Sequence, residues 1–149
     1  MDSDDFIDLD FYEKLYVKAV KGGAEVVKGS DMKILHQDGH AEIDLQNEKI
    51  KKNKINFWCQ YTTAIYKREF ILKNDIKFPM GLLVGEDPVF AIKTAFLCNK
   101  IDIINDAQYY YARRENSLNS EYWNIDKVDS YIEYINIVTS FALNQDLSD

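Results

Sequence analysis

Two cysteines, two prolines and two histidines are all that 149 residues contain of the residue types that staple, stiffen or ligate. Cys59 and Cys98 are neither closely spaced nor accompanied by a histidine cluster, which argues against a disulfide scaffold or a zinc ribbon. They read as reduced, buried thiols of a cytosolic protein. Clustered positive charge is scarce too. The net charge of −7 excludes a nucleic-acid reader, which needs a concentrated basic face. The only basic runs are residues 49–54, read as a solvated face, and Arg113-Arg114. No apolar run approaches the ~20 residues of a bilayer-spanning helix. The acidic start has neither the positive nor the apolar segment of a signal peptide. These absences point to the cytoplasm, with peripheral contact at the inner membrane surface as the most that is expected.

What is present suits one domain, residues 1–149, with a sizeable core: 46% hydrophobic and 29% charged residues, ten Tyr and eight Phe. Aromatics in this number serve either a dense core or a sugar-stacking groove, and core is the preferred reading for Trp58, Tyr61 and Trp123 alike. Apolar spacing predicts a helix over residues 10–21, with Asp10 as N-cap and Gly22-Gly23 as its end. Strands follow over 24–29 and 31–36, with a turn at Asp38-Gly39 and a weak strand over 41–45. Residues 47–54 read as a short helix or a polar excursion, 62–67 as a strand and 68–74 as another short helix. Residues 76–79 are extended before Pro79. A helix over 90–99 is led by Gly85-Glu86-Asp87-Pro88, with Asp87 at its cap. Two short strands, 101–105 and 108–113, precede a closing helix over 131–143. The chain is a mixed α/β domain.

Three segments carry chemistry. Asp2 and Asp4, one residue apart, can point oxygens at one hard cation such as Mg²⁺ or Mn²⁺, with Asp5 beside them as a helper. The same cluster also reads as a solvated, helix-leading turn. It further half-matches a calcium loop, although Ile7 stands where such a loop needs glycine. Glu86-Asp87-Pro88 places carboxylates at a helix N-terminus, where Asp87 can act as a general base or simply cap the helix. Tyr109-Tyr110-Tyr111-Ala112-Arg113-Arg114-Glu115-Asn116-Ser117 runs an aromatic strand into a loop with two guanidinium groups and a hydroxyl. Such a loop suits a diphosphate, or else a strand edge with solvated arginines.

In this order the segments resemble the second half of a family 2 glycosyltransferase of the GT-A fold, the bacterial group that builds capsule and other cell-surface glycans. The resemblance runs through Met1-Asp2-Ser3-Asp4-Asp5, Ala64-Ile65-Tyr66-Lys67-Arg68, Gly85-Glu86-Asp87-Pro88 and Tyr109 to Leu118. It implies a C-terminal portion of the GT-A fold, a mixed sheet flanked by helices, without the N-terminal nucleotide-binding βα units. It also implies inverting sugar transfer from a nucleotide-diphosphate sugar to a hydroxyl of a glycan or lipid-linked acceptor. By resemblance Asp2 contacts the donor, and Asp4 holds a divalent metal (Mn²⁺ or Mg²⁺) with Asp2 and Asp5 close by. Asp87 is the base and Glu86 its neighbour in the acceptor cleft. Arg113, Arg114 and Ser117 form a lid over the diphosphate, although the family often has a histidine there that this chain lacks. His36 and His40 have no family counterpart.

The absent first half, as a start at an internal methionine or a broken gene would produce, implies weak or no transfer by these 149 residues alone. A non-catalytic remnant, or a module binding an acceptor or partner, is the alternative. A truncated sheet also leaves an unpaired edge, which suits self-association into a homodimer.

Overall fold

The computed structural model describes residues 3–113 and 124–145. Its first helix, α1 (Phe11–Gly22), forms where the apolar spacing places it, with Phe11 and Leu15 fully buried one turn apart. Gly23 ends it in the left-handed region at φ 64°, donating its N–H to Ala19 O at 2.9 Å. Asp10 occupies the cap position, but its side chain makes no capping bond and instead pairs with Lys14 at 3.0 Å.

Among the described residues, seven short strands form two mixed sheets. One has the order β1 (Phe6–Ile7), β7 (Tyr109–Ala112), β3 (Met32–Leu35), β4 (Ala41–Asp44). The other has the order β5 (Ala64–Tyr66), β2 (Val26–Lys28), β6 (Ile101–Ile103). In each sheet one parallel pair, β3 with β7 or β2 with β6, sits among antiparallel ones. The predicted hairpin between β3 and β4 is present. Strands adjacent in sequence elsewhere are not neighbours in space. After β2 the chain crosses from the three-stranded to the four-stranded sheet, and after β6 it crosses again.

The crossings are fixed by backbone bonds. Gly29 N–H donates to Thr63 O at 2.9 Å and Ser30 N–H to Ala107 O at 2.8 Å. A Cβ on Gly29 would lie 2.6 Å from Ala107 O and 2.8 Å from the Phe11 ring. Gly29→Ala is therefore expected to destabilise the chain by roughly 1–3 kcal/mol, read as a lower midpoint in urea with an unchanged slope.

β2 is buried along its length, and its alternation feeds two cores. Val26 packs with Phe57, Phe70, Phe90 and Ala91, whereas Val27 packs with Phe11, Leu15 and Tyr109. Phe11, Phe57, Phe70, Phe90 and Tyr109 are buried in the cores, whereas Phe6, Tyr12, Tyr16, Phe78, Phe96 and Tyr131 are exposed, so the aromatics divide between core and surface. Cys98 is buried, and burial pushes its thiol up to about 11, so it is an inert packing residue.

The first core is closed by α2 (Asn47–Lys52), 3-10 turns over Lys54–Cys59 and Tyr61–Thr63, α3 (Arg68–Lys73) and α4 (Glu86–Leu97). α5 (Ile125–Leu143) lies against α4, with Phe96 and Phe141 in edge contact at 5.5 Å. It starts six residues before the predicted boundary. Its first turn is capped by Asn124, whose side chain accepts from Lys127 N–H at 2.9 Å. Among the described residues, no helix is long and apolar enough to cross a membrane.

Candidate functional site

The acidic opening is built into the sheet by its second half. β1 pairs antiparallel with β7, Phe6 opposite Tyr110 and Ile7 opposite Tyr109. Asp5, 8% exposed, locks that ladder: its Oδ2 accepts from the Tyr109 hydroxyl at 2.5 Å and its Oδ1 from Ala112 N–H at 3.0 Å. Asp8 repeats the device one turn of the ladder away, accepting from Gln108 N–H at 3.0 Å and the Tyr110 hydroxyl at 3.1 Å. The sequence assigns Asp5 to a metal. The structure engages both of its oxygens with β7 and makes it the strut that holds the segment next to Asp4 against that strand.

The same geometry removes the calcium loop. α1 begins at Phe11, inside the stretch such a loop would occupy, and Asp8 and Asp10 hold other partners. Among the described residues no three carboxylate, histidine or cysteine side chains gather as a ready-made metal cage.

Arg113 follows β7 directly, so strand pairing brings it to the end of the ladder that carries Asp4. Its N–H donates to Leu35 O at 2.9 Å, and its guanidinium lies 4.0 Å from Glu42 on β4. Glu42 also meets His36 Nε2 at 3.2 Å, and the His36 and His40 rings are 5.0 Å apart. The two histidines without a family counterpart thus flank the base of the arginine loop. Asp2, Arg114 and Ser117 lie outside the described residues, as does Trp123.

Glu86 and Asp87 have a different support. They open α4, but the cap is Gly85, in the left-handed region at φ 98°, and Asp87 stands inside the first turn. α5 clamps the approach: the Ser130 hydroxyl accepts from Leu83 N–H at 2.8 Å and Val84 N–H at 3.1 Å, and donates to Val84 O at 3.1 Å. A Cβ on Gly85 would lie 2.6 Å from the Tyr134 Cβ. The sequence named Asp87 but neither Ser130 nor Tyr134, because polar and aromatic residues on a distant helix carry no local signal of a clamp.

Asp87 is felt by Tyr66 on β5. Burial first, then Tyr61 and the Asp87 charge, hold the Tyr66 phenol well above its ordinary range, so it stays protonated. Its hydroxyl donates to Tyr61 O. Phe90 meets both tyrosine rings edge-on and stacks on Phe78 at 4.3 Å, with Phe78 44% exposed. The Asp87 carboxylate therefore stands near an aromatic group whose outermost ring reaches solvent. A separate groove of about 510 Å³ between α1 and the β5–α3 segment is lined by Tyr16, Val20, Glu25, Tyr66 and Arg68. It contains none of the predicted site residues.

The mixed α/β fold is shared with part of a known glycosyltransferase. The structure superposes on that of residues 1–349 of TarS from Staphylococcus aureus in complex with UDP-GlcNAc, with a TM-score of 0.76 and 24% identity. The match covers 99% of this chain and 43% of that one. The UDP complex of the same TarS fragment gives a TM-score of 0.70 at 23% identity. In sequence the chain is 29% identical over 108 residues to the poly(ribitol-phosphate) β-N-acetylglucosaminyltransferase TarS of S. aureus, covering 72% of this chain and 18% of that protein. It is 28% identical over 160 aligned positions to the glycosyltransferase GlyA of Streptococcus pneumoniae, covering 95% of this chain and 23% of GlyA. No family model matches the sequence. The homologues are glycosyltransferases, and the chain spans about a fifth of the length of the curated relatives it matches.

Proposed function

We propose that the chain is the C-terminal, acceptor-side part of an inverting glycosyltransferase that uses a nucleotide-diphosphate sugar and a hydroxyl of a glycan or lipid-linked acceptor in cell-surface polysaccharide synthesis. The observation that carries this reading is the β1–β7 ladder. It sets Asp4 and Arg113 at one end of one sheet, within a fold that matches a transferase solved with UDP-GlcNAc.

Asp2 and Asp4 are the principal oxygen donors for a cation, with Asp5, whose oxygens also accept from β7, beside them as a helper. Two carboxylates are a hard set that leaves coordination positions for substrate phosphates, which fits Mn²⁺ or Mg²⁺. Held there, the metal would supply Lewis-acid compensation for charge on the departing nucleoside diphosphate. The chain's own residues do the rest. Asp2 orients the donor, and Arg113, Arg114 and Ser117 close over its diphosphate. Asp87, ionised in the first turn of α4, takes the proton of the acceptor hydroxyl as that oxygen attacks the anomeric carbon. Glu86 lines the acceptor side of the cleft. Attack opposite the leaving diphosphate inverts the anomeric centre.

Calorimetric titration of the 149-residue chain with UDP, with and without Mn²⁺, tests the donor half. Binding is expected only with the metal and is expected to be lost in Asp4→Ala. Heat that is absent from the parent chain, or unchanged by Asp4→Ala, would favour the non-catalytic module instead.

A further inference from the structure

The four-stranded sheet ends, on the face that carries Tyr109 and Tyr111, in polar side chains that meet at one point. Leu35 on β3 stands opposite Ala112 on β7 and Ala41 on β4. Their neighbours His36, Arg113, His40 and Glu42 therefore share the other face, at one end of three adjacent strands. The contacts agree. Arg113 N–H donates to Leu35 O at 2.9 Å, and His36 N–H to His40 O at 2.9 Å. Glu42 Oε1 accepts from His36 Nε2 at 3.2 Å and lies 4.0 Å from Arg113 Nη1. An ionised carboxylate can only accept, so His36 Nε2 carries the proton of that bond. One acceptor oxygen thus marks a point on which an imidazole and a guanidinium converge. Lys33 on β3 turns to the opposite face, over the Tyr110 ring at 5.7 Å.

Such a cluster adds little to stability. The His36, Glu42 and Arg113 side chains are 24%, 48% and 59% exposed, and ion pairs in contact with water are weak. At 4.0 Å the Arg113 contact is also beyond hydrogen-bond length, so Glu42 offsets the guanidinium charge without tying it down. Glu42 is a resident counter-ion, and its oxygen has the chemistry of a phosphate oxygen: anionic, and an acceptor only. We infer that the β3–β4 hairpin belongs to the diphosphate site, where a phosphate oxygen displaces Glu42 and is held jointly by His36 and Arg113. The inference rests on the reading of Arg113 as a diphosphate-binding group and deepens it. A diphosphate wins the exchange because it brings more charge and several acceptor oxygens to the guanidinium fork, where Glu42 brings one. His36 is well placed to share the load. Its N–H is bonded to His40 O and its carbonyl accepts from Gly39 N–H at 3.0 Å, so it projects from a closed hairpin rather than from a loop. His36 is thus a ligand-contacting residue, and Glu42 is a competitor that keeps Arg113 at the rim until the ligand arrives.

Pyrophosphate is the probe, titrated into the 149-residue chain in metal-free buffer at constant pH and ionic strength. The amide signals of His36 and Arg113 and the His36 ring protons are expected to shift together in the millimolar range. His36→Gln is expected to weaken binding about tenfold, by loss of a hydrogen bond to a charged group. Glu42→Gln is expected to strengthen it about threefold, by removal of the competing charge. The opposite signs separate this role from a structural one, since damage to the hairpin would weaken binding in both variants. Should either variant fail to fold, His36→Asn and Glu42→Ala read the same two signs. Pyrophosphate that leaves the His36 and Arg113 signals in place would overturn the inference. So would binding that Glu42→Gln weakens, or that His36→Gln leaves unchanged. The donor reading is judged apart. UDP binding that needs Mn²⁺ and Asp4 but ignores both substitutions would sink this site and keep that reading. Pyrophosphate binding with both expected signs, and no Asp4-dependent UDP binding, would do the reverse.

Discussion

Asp5→Ala is expected to lower stability by about 3–5 kcal/mol and to release the acidic opening from the sheet. Both carboxylate oxygens are engaged, one by the hydroxyl of the fully buried Tyr109 and one by Ala112 N–H. A hydrogen bond to a charged group contributes roughly 1.5–3 kcal/mol, and a buried donor left without an acceptor costs about 1–3 kcal/mol. Asp5→Asn should cost about half as much: its remaining oxygen can serve Ala112, and the Tyr109 hydroxyl can reverse its role and accept from the amide. Chemical denaturation measures both values. Amide hydrogen exchange at Phe6, Tyr110 and Ala112 should accelerate in the alanine variant before any global change. Equal, small effects from both substitutions would show that Asp5 is not the strut described here. The functional consequence is that Asp5→Ala should also weaken metal-dependent UDP binding, because Asp4 would lose its support.

The second large effect is expected at Gly85. Its φ of 98° imposes strain of order 1–3 kcal/mol on any residue with a Cβ. That Cβ would also lie 2.6 Å from the Tyr134 Cβ, an overpacking contact that adds roughly 1–3 kcal/mol. Gly85→Ala is thus expected to cost about 3 kcal/mol or more, with Asp87 displaced from its place near Tyr66. Gly81 separates the two causes. Its φ is 86°, yet nothing lies within 4 Å of a Cβ placed there. Gly81→Ala carries only the backbone strain and should cost clearly less in the same denaturation series. Equal losses at the two positions would mean that contact with α5 contributes little.

Much of the local structure was legible in the residues. α1 announces itself by Phe11, Leu15 and Ala19 at helical spacing and by the glycine pair that ends it, all of which are local signals. The β3–β4 hairpin is equally local, set by Asp38-Gly39. Sheet membership was not legible. Consecutive strands β2 and β3 join different sheets because Gly29 and Ser30 bond to Thr63 and Ala107, and no feature between residues 24 and 36 reports those partners. The start of α5 was missed for a related reason: Lys127 and Ser130 break its apolar period, yet both are turned inward and buried. At the site, residue types single out segments, but the partners that hold those residues are not local. Asp87 reads as a cap until Gly85 is seen holding that position. The partners of Asp5, more than a hundred residues away, are likewise invisible in the local sequence.

The acidic opening and the arginine at the end of β7 form one end of a diphosphate site in this account, and Mn²⁺ can report that directly. Paramagnetic broadening of backbone amide resonances in the presence of UDP should first remove the signals of Ser3 to Phe6, Ala112 and Arg113. The same signals should persist in Asp4→Ala. Broadening that begins at surface acids elsewhere, such as Glu48 or Asp75, or that is indifferent to Asp4→Ala, would contradict the assignment.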